Sequence, residues 1–221
     1  LSTVPATTRL DCEPDFDCPL CPRLVEFRRA NRQTQAAWHN APVRAFGDTR
    51  ARLLVVGLAP GLRGANRSGR PFTGDAAGDL LYPALLRHEL ARGSYGARPD
   101  DGLELVDCRI TNAVRCVPPE NKPVAAEINT CREFLRAELA SLKELRLILA
   151  LGTIAHNSVL AALDLKRRDH PFGHAARYDL GAGRELMASY HCSRYNVNTG
   201  RLTPEMFNAV FATIRRTLDS R

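Results

Sequence analysis

The chain has 221 residues, 44% of them hydrophobic, and a net charge of +7, enough for one buried α/β core and little more. No apolar run is long enough to cross a membrane, and the Thr/Pro/Asp-rich N-terminus lacks the apolar core of a secretory signal, so a cytoplasmic protein is expected. A pI near 9.3 favours an anionic partner, nucleic acid first, and seven cysteines in such a chain argue for metal binding or chemistry before disulfides.

Residues 1–17 read as a loosely ordered N-terminal segment. Asp17-Cys18-Pro19-Leu20-Cys21-Pro22 leads into a helix through about Trp38, with Pro22 in its first turn and Leu24, Phe27 and Ala30 as its apolar stripe. Asn40 to Arg50 is a loop. The run beginning Leu53-Leu54-Val55-Val56 reads as a buried strand of a parallel sheet, apolar on both faces. A long loop follows through Asp75, rich in glycine and carrying Arg63, Arg67, Arg70 and Phe72. Loops at the C-terminal ends of strands are where open α/β sheets hold their ligands. Asp75 stands just before a helix running to about Arg92, where a carboxylate serves as an N-cap.

Gly93 to Gly102 is turn-rich, and Leu103 to Val106 forms a short edge element. Cys108 to Val114 is a second strand, running into the polar loop Arg115 to Pro123. Pro123 opens a helix through about Leu142. Leu145 to Leu151 is the most apolar strand, and Thr153 to Leu163 the next helix. A basic loop, Arg167 to His174, precedes strands at Ala176–Leu180 and Glu185–Ser189. Tyr190 to Asn196 is a third polar loop after a strand, and Pro204 to Leu218 is an amphipathic helix. This alternation predicts a single domain over 1–221: a three-layer α/β/α sandwich with a mostly parallel central sheet, its three polar loops meeting at one edge.

Four cysteines fall into two pairs, Cys18-x-x-Cys21 and Cys116 with Cys131. They form a plausible Cys₄ site; a structural zinc or four unrelated thiols are the alternatives. The first loop lacks the Lys-Ser/Thr ending of a triphosphate loop and the G-x-G-x-x-G spacing of a dinucleotide loop, which demotes a phosphate role. Phe72 on that loop is a stacking surface for a base or a core plug. Asn112 lies in a strand that should be buried, where an amide needs partners; it could read a donor–acceptor edge or be satisfied by backbone. His191 could stabilise a developing anion or be plain surface.

Taken jointly, Gly57-Leu58-Ala59-Pro60-Gly61, Asn66 to Asp75, Thr111-Asn112-Ala113-Val114-Arg115-Cys116-Val117-Pro118-Pro119-Glu120-Asn121-Lys122 and the His191 loop resemble the uracil-DNA glycosylase superfamily. The likeness is strongest to its thermophile-type family 5 (type b), and it covers Cys18 to about Gly200. An acid at the position of Asp75 separates this branch from the related iron-sulfur family 4.

The resemblance implies excision of uracil, and of other deaminated bases, from DNA by hydrolysis of the N-glycosidic bond in base excision repair. It implies a structural [4Fe-4S] cluster on Cys18, Cys21, Cys116 and Cys131. Asp75, His191 and Asn121 would be catalytic. Gly57, Leu58, Ala59, Gly61, Phe72 and Asn112 would bind the base, with Phe72 stacking on it and Asn112 reading its edge. Arg63, Arg67, Arg70, Ser193, Arg194 and Asn196 would contact DNA. A monomer associated with a prokaryotic nucleoid is expected. One departure is Cys192, which stands where the superfamily's His-Pro-Ser loop has proline. Two competing classes are a zinc-stabilised, non-catalytic nucleic-acid-binding module and a nucleotide-binding α/β enzyme.

Overall fold

The computed structural model describes residues 12–220. In chain order the elements are α1 (Pro22–Thr34), β1 (Phe46–Gly47), β2 (Leu53–Gly57), α2 (Ala65–Ser68), α3 (Ala76–Arg87), β3 (Ala91–Arg92), β4 (Glu104–Leu105), β5 (Cys108–Asn112), α4 (Ala125–Ser141), β6 (Leu147–Leu151), α5 (Thr153–Ala162), β7 (Arg177–Gly181), β8 (Arg184–Ser189), α6 (Arg194–Asn198) and α7 (Pro204–Asp219).

The main sheet runs β1-β5-β2-β6-β8-β7. Its four central strands are parallel, and β1 and β7 close the two edges antiparallel. Residues of β2 alternate between two cores, as the period of a strand requires. Leu53 and Val55 pack with Leu81 and Leu85 of α3 and with Phe207, Phe211 and Ile214 of α7. Leu54 and Val56 pack with Leu135 and Leu139 of α4 and with Val159 and Leu160 of α5. Helices therefore cover both faces, and the expected α/β/α sandwich is what the chain forms. The central strands are apolar throughout because neither face meets water.

Several local expectations are corrected. The first helix ends at Thr34 rather than near Trp38, α3 ends at Arg87 rather than Arg92, and α4 begins at Ala125 rather than Pro123. The Asn40–Arg50 loop contributes the edge strand β1, and Leu103–Val106 joins β3 in a separate two-stranded hairpin. Of the supposedly loose segment 1–17, residues 1–11 lie outside the described residues, but residues 12–17 are tied down. Glu13 accepts from Arg109 and from Arg115, both at 3.1 Å, while Glu138 holds the same two arginines at 2.7 and 2.5 Å. Two arginines and two carboxylates form a closed, neutral, buried network. Removing one member would leave an uncompensated charge, a loss of roughly 3–5 kcal/mol.

Candidate active site

The parallel register of β2 and β5 sets Gly57 opposite Asn112 at the C-terminal edge of the sheet. The two loops leaving these strands and the loop leaving β8 converge there on an open cleft of about 550 Å³, lined by Leu58, Ala59, Gly61, Phe72, Asp75, Asn112, Asn121, His191, Ser193 and Arg194 among others. Residues far apart in the chain thus meet at one site, as parallel topology dictates.

Asn112 is 3% exposed, and its Oδ1 is buried without a hydrogen-bond partner among the described residues. A buried acceptor left open costs on the order of 1–3 kcal/mol, and this one lies at the cleft wall. Beside it, Gly57 could not carry a side chain. A Cβ there would stand 2.3 Å from Asn112 Oδ1 and 2.5 Å from Phe72 Cζ. Phe72 lies 6% exposed, with its ring facing that of His191 at a centroid distance of 6.1 Å and 28° between planes.

Asp75 splits its carboxylate between two tasks. Oδ1 caps α3, accepting from Ala77 N at 3.1 Å and Gly78 N at 3.2 Å. Oδ2 turns the other way, toward the first loop; a Cβ on Gly64 would come within 2.2 Å of it. One side chain therefore both caps α3 and lines the cleft.

Burial holds the His191 pKa below its usual value, against the pull of the Asp75 charge, so the imidazole is neutral at pH 7. Its loop is braced from within: Asn196 Nδ2 donates to the His191 carbonyl at 2.8 Å, and Ser193 caps the short helix α6. Asn121 accepts from Leu62 N through Oδ1 at 3.2 Å. It sits at φ +56° after Glu120 at φ +55°, two left-handed residues in succession, a local strain typical of ligand clamps.

The expected DNA contacts divide. Arg63, Arg67 and Arg194 are exposed, and Arg194 lines the cleft. Ser193 lines the cleft, whereas Asn196 has its amide nitrogen turned inward onto His191. Arg70 contradicts the expectation: it is 5% exposed and its guanidinium is paired with Asp101 at 2.7 Å. A buried, neutralised arginine cannot reach a phosphate. Sequence reasoning missed Asp101, Tyr82 and Tyr95, which surround Arg70; none of them belongs to a local pattern that would single it out.

Cys18, Cys21, Cys116 and Cys131 line a second, tight recess, walled by Leu24, Val25, Val114 and Phe134. The fold thus brings the two pairs together, joining α1, the end of the β5 strand segment and α4. Arg115 N donates to Cys131 Sγ at 3.3 Å and Arg28 Nη1 to Cys116 Sγ at 3.8 Å. Burial, reinforced by the neighbouring sulfurs, pushes the Cys116 thiol up to about 12 and the Cys21 thiol up to about 11. Among the described residues no three His, Cys, Asp or Glu side chains converge as they would around a single metal ion. Cys108 and Cys192 are fully buried in the main core.

A family model described as the uracil DNA glycosylase superfamily matches residues 44–215. A type-5 uracil-DNA glycosylase of Thermus thermophilus is 47% identical over 205 residues, covering 90% of this chain and 93% of the relative. A type-5 uracil-DNA glycosylase of Pyrobaculum aerophilum is 42% identical over 193 residues, covering 86% and 84%. A type-4 uracil-DNA glycosylase of Archaeoglobus fulgidus is 33% identical over 125 residues, covering 56% and 55%.

Proposed function

The chain belongs to the uracil DNA glycosylase superfamily, and from that premise we propose that it is a monofunctional DNA glycosylase of base excision repair, excising uracil and other deaminated bases. The observation that carries this reading is the open acceptor of Asn112, buried beside Phe72 across the bare Cα of Gly57. An amide with a free oxygen next to a flat ring suits the N–H edge of a stacked base. The zinc-stabilised binding module accounts for the charge and the thiols but leaves that pocket unused.

Exposed arginines contact the phosphate backbone, which supplies most of the affinity. The target nucleotide rotates out of the stack into the cleft. Phe72 stacks on the base, Asn112 Oδ1 accepts from its N–H, and the amide nitrogen donates to its carbonyl. As the C1′–N bond breaks, its electron pair leaves with the base and the sugar becomes cationic. Neutral His191 donates a hydrogen bond to the developing base anion. Asp75 Oδ2, directed into the cleft, stabilises the cation and takes the proton of the attacking water, whose oxygen bonds to C1′. Asn121 is held by Leu62 so that its amide nitrogen is the group left to orient that water.

The four clustered cysteines fit the donor set of a [4Fe-4S] cluster. Four thiolates are the donor set of such a cluster and also of a structural zinc ion, and the metal content of the protein distinguishes the two. Cys18, Cys21, Cys116 and Cys131 would hold the cluster, and its contribution would be structural, clamping α1 and α4 to the strand that carries Asn112. The N–H donors of Arg115 and Arg28 would orient and tune the thiolates. Anaerobically purified protein should be brown and contain iron and sulfide; colourless protein with stoichiometric zinc would refute the cluster.

The reading is tested by single-turnover assays on duplexes carrying uracil, hypoxanthine, xanthine or a thymine mismatch, scored for abasic sites. Intact DNA binding without base release on any of them would favour the binding module. Uracil release alone would confine the enzyme to that base.

A further inference from the structure

We propose that Arg70 and Asp101 are positioning residues: a buried, fork-on-fork ion pair that locks Phe72 in the strained backbone from which its ring floors the base pocket, and so fixes Phe72 relative to Asp75. The inference rests on the glycosylase reading for its kinetic test but not for its structural one.

Phe72 sits at φ +52°, a left-handed conformation that a bulky aromatic residue adopts only when its surroundings over-determine it. A network of hydrogen bonds holds that backbone, and at its centre is Arg70. Its Nη1 and Nη2 donate to the two Asp101 oxygens at 2.8 and 2.7 Å, and its Nε donates to Thr73 Oγ1 at 2.8 Å. Thr73 Oγ1 in turn donates to the Pro71 carbonyl at 3.1 Å. Tyr82 Oη donates to the same carbonyl at 2.6 Å, and Tyr95 Oη donates to the Phe72 carbonyl at 3.4 Å. The two tyrosines stack on each other at 4.6 Å, and the guanidinium lies over both rings, 5.2 and 5.9 Å from their centroids. Ser68 Oγ secures the Thr73 carbonyl at 3.0 Å. The carbonyls flanking and including Phe72 are thus engaged, and each engaging group touches Arg70 or Thr73 or stacks on a group that does.

Asp101 is itself anchored. It accepts from Gly96 N at 2.9 Å and Leu103 N at 3.1 Å, which ties the strut to the segment between β3 and β4. Arg70 holds the Asp101 carboxyl well below the usual carboxylate range, with the two backbone donors acting in the same direction. None of Arg70, Asp101, Tyr82 and Tyr95 lines the cleft. Their effect reaches the chemistry only through Phe72. Lysine at position 70 would keep the charge and lose the planar fork.

The test is a double-mutant cycle of Arg70→Lys and Phe72→Ala, read by single-turnover uracil excision, duplex Kd and thermal unfolding. Arg70→Lys alone should slow excision by about 10- to 100-fold, as expected for a displaced reacting geometry, while duplex Kd changes by less than about threefold because the backbone contacts are untouched. With Phe72→Ala already present, Arg70→Lys should add less than about twofold to the kinetic loss, yet lower the melting temperature as much as it does alone. Multiplicative kinetic losses in both backgrounds, or no loss in Arg70→Lys, would overturn the proposal. Asp101→Asn, which keeps the shape, provides the same measurement should Arg70→Lys fold poorly. Ring resonances of ¹³C-labelled Phe72 decide the structural claim independently of turnover: they should shift and broaden in Arg70→Lys and Asp101→Asn, and unchanged resonances would overturn it. Wild-type protein that releases no uracil would refute the functional reading while leaving the Phe72 resonances to judge the strut.

Discussion

The rings of Phe72 and His191 face one another at 6.1 Å between centroids and 28° from parallel, although 119 positions separate them in the chain. One rides on the loop after β2, the other on the loop after β8, and the parallel sheet brings both to the same edge. The contact is part of the burial that keeps His191 neutral, and Asp75 opposes it through its negative charge.

That balance makes the His191 titration a sensitive readout. Its NMR midpoint should lie below the ordinary 6.5. Asp75→Asn removes the charge that raises it, so the midpoint should fall further. Phe72→Ala opens the ring to water, so the midpoint should climb toward the ordinary value. A rise on Asp75→Asn would contradict this picture.

Asp75 combines a cap and a cleft carboxylate, and two substitutions separate them. Asparagine can still accept from Ala77 and Gly78, so Asp75→Asn should keep the melting temperature within a degree or two and lose about 10²–10⁴ in single-turnover rate. Asp75→Ala should lose similar activity and also about 1 kcal/mol of stability from the missing cap. Equal stability loss in both would mean that the charge, not the cap, supports α3.

Asn112 should show the reverse pattern. Because its Oδ1 has no partner among the described residues, Asn112→Ala relieves a buried unsatisfied acceptor; urea unfolding should report unchanged or slightly higher stability. Uracil excision should fall by about 10²-fold or more, since reading by buried polar groups discriminates strongly. Gly57→Ala should be nearly as damaging to activity, because the new methyl would meet Asn112 Oδ1 at 2.3 Å and Phe72 Cζ at 2.5 Å. Full activity in Gly57→Ala would show that the pocket wall yields.

Acid should destabilise the fold early. His39, His88, His156 and His174 join His191 in having pKa values lowered, each chiefly by burial. The unfolded chain therefore binds more protons than the folded one as pH drops through about 6.5, and each tenfold difference in proton affinity between the two states corresponds to about 1.4 kcal/mol once fully expressed. Stability should be flat near pH 7 and decline from pH 6.5 downward, before the ion-paired carboxylates contribute their own losses at lower pH. A urea midpoint unchanged between pH 7.5 and 5.5 would contradict this.

Much of this architecture was readable in the chain because it is local. The apolar run Leu53 to Val56 and the alternation of strands with amphipathic helices dictated an α/β sandwich, and with it the convergence of loops at one sheet edge. The glycine-rich loop holding Phe72 and Asp75, the motif around Asn112, and the His191 loop dictated which residues would meet there. What the sequence could not say is which charges face water. Arg70 looks like Arg63 and Arg67 in composition and neighbourhood, yet its partner Asp101 lies 31 positions away. Glu13 in a segment that looks loose is clamped by Arg109, 96 positions on. An arginine's identity fixes its charge but not its burial; that depends on whether a carboxylate and aromatic rings from elsewhere arrive to replace its water. Only the tertiary structure makes those meetings, and here it turned an arginine expected to contact DNA into the buried partner of Asp101.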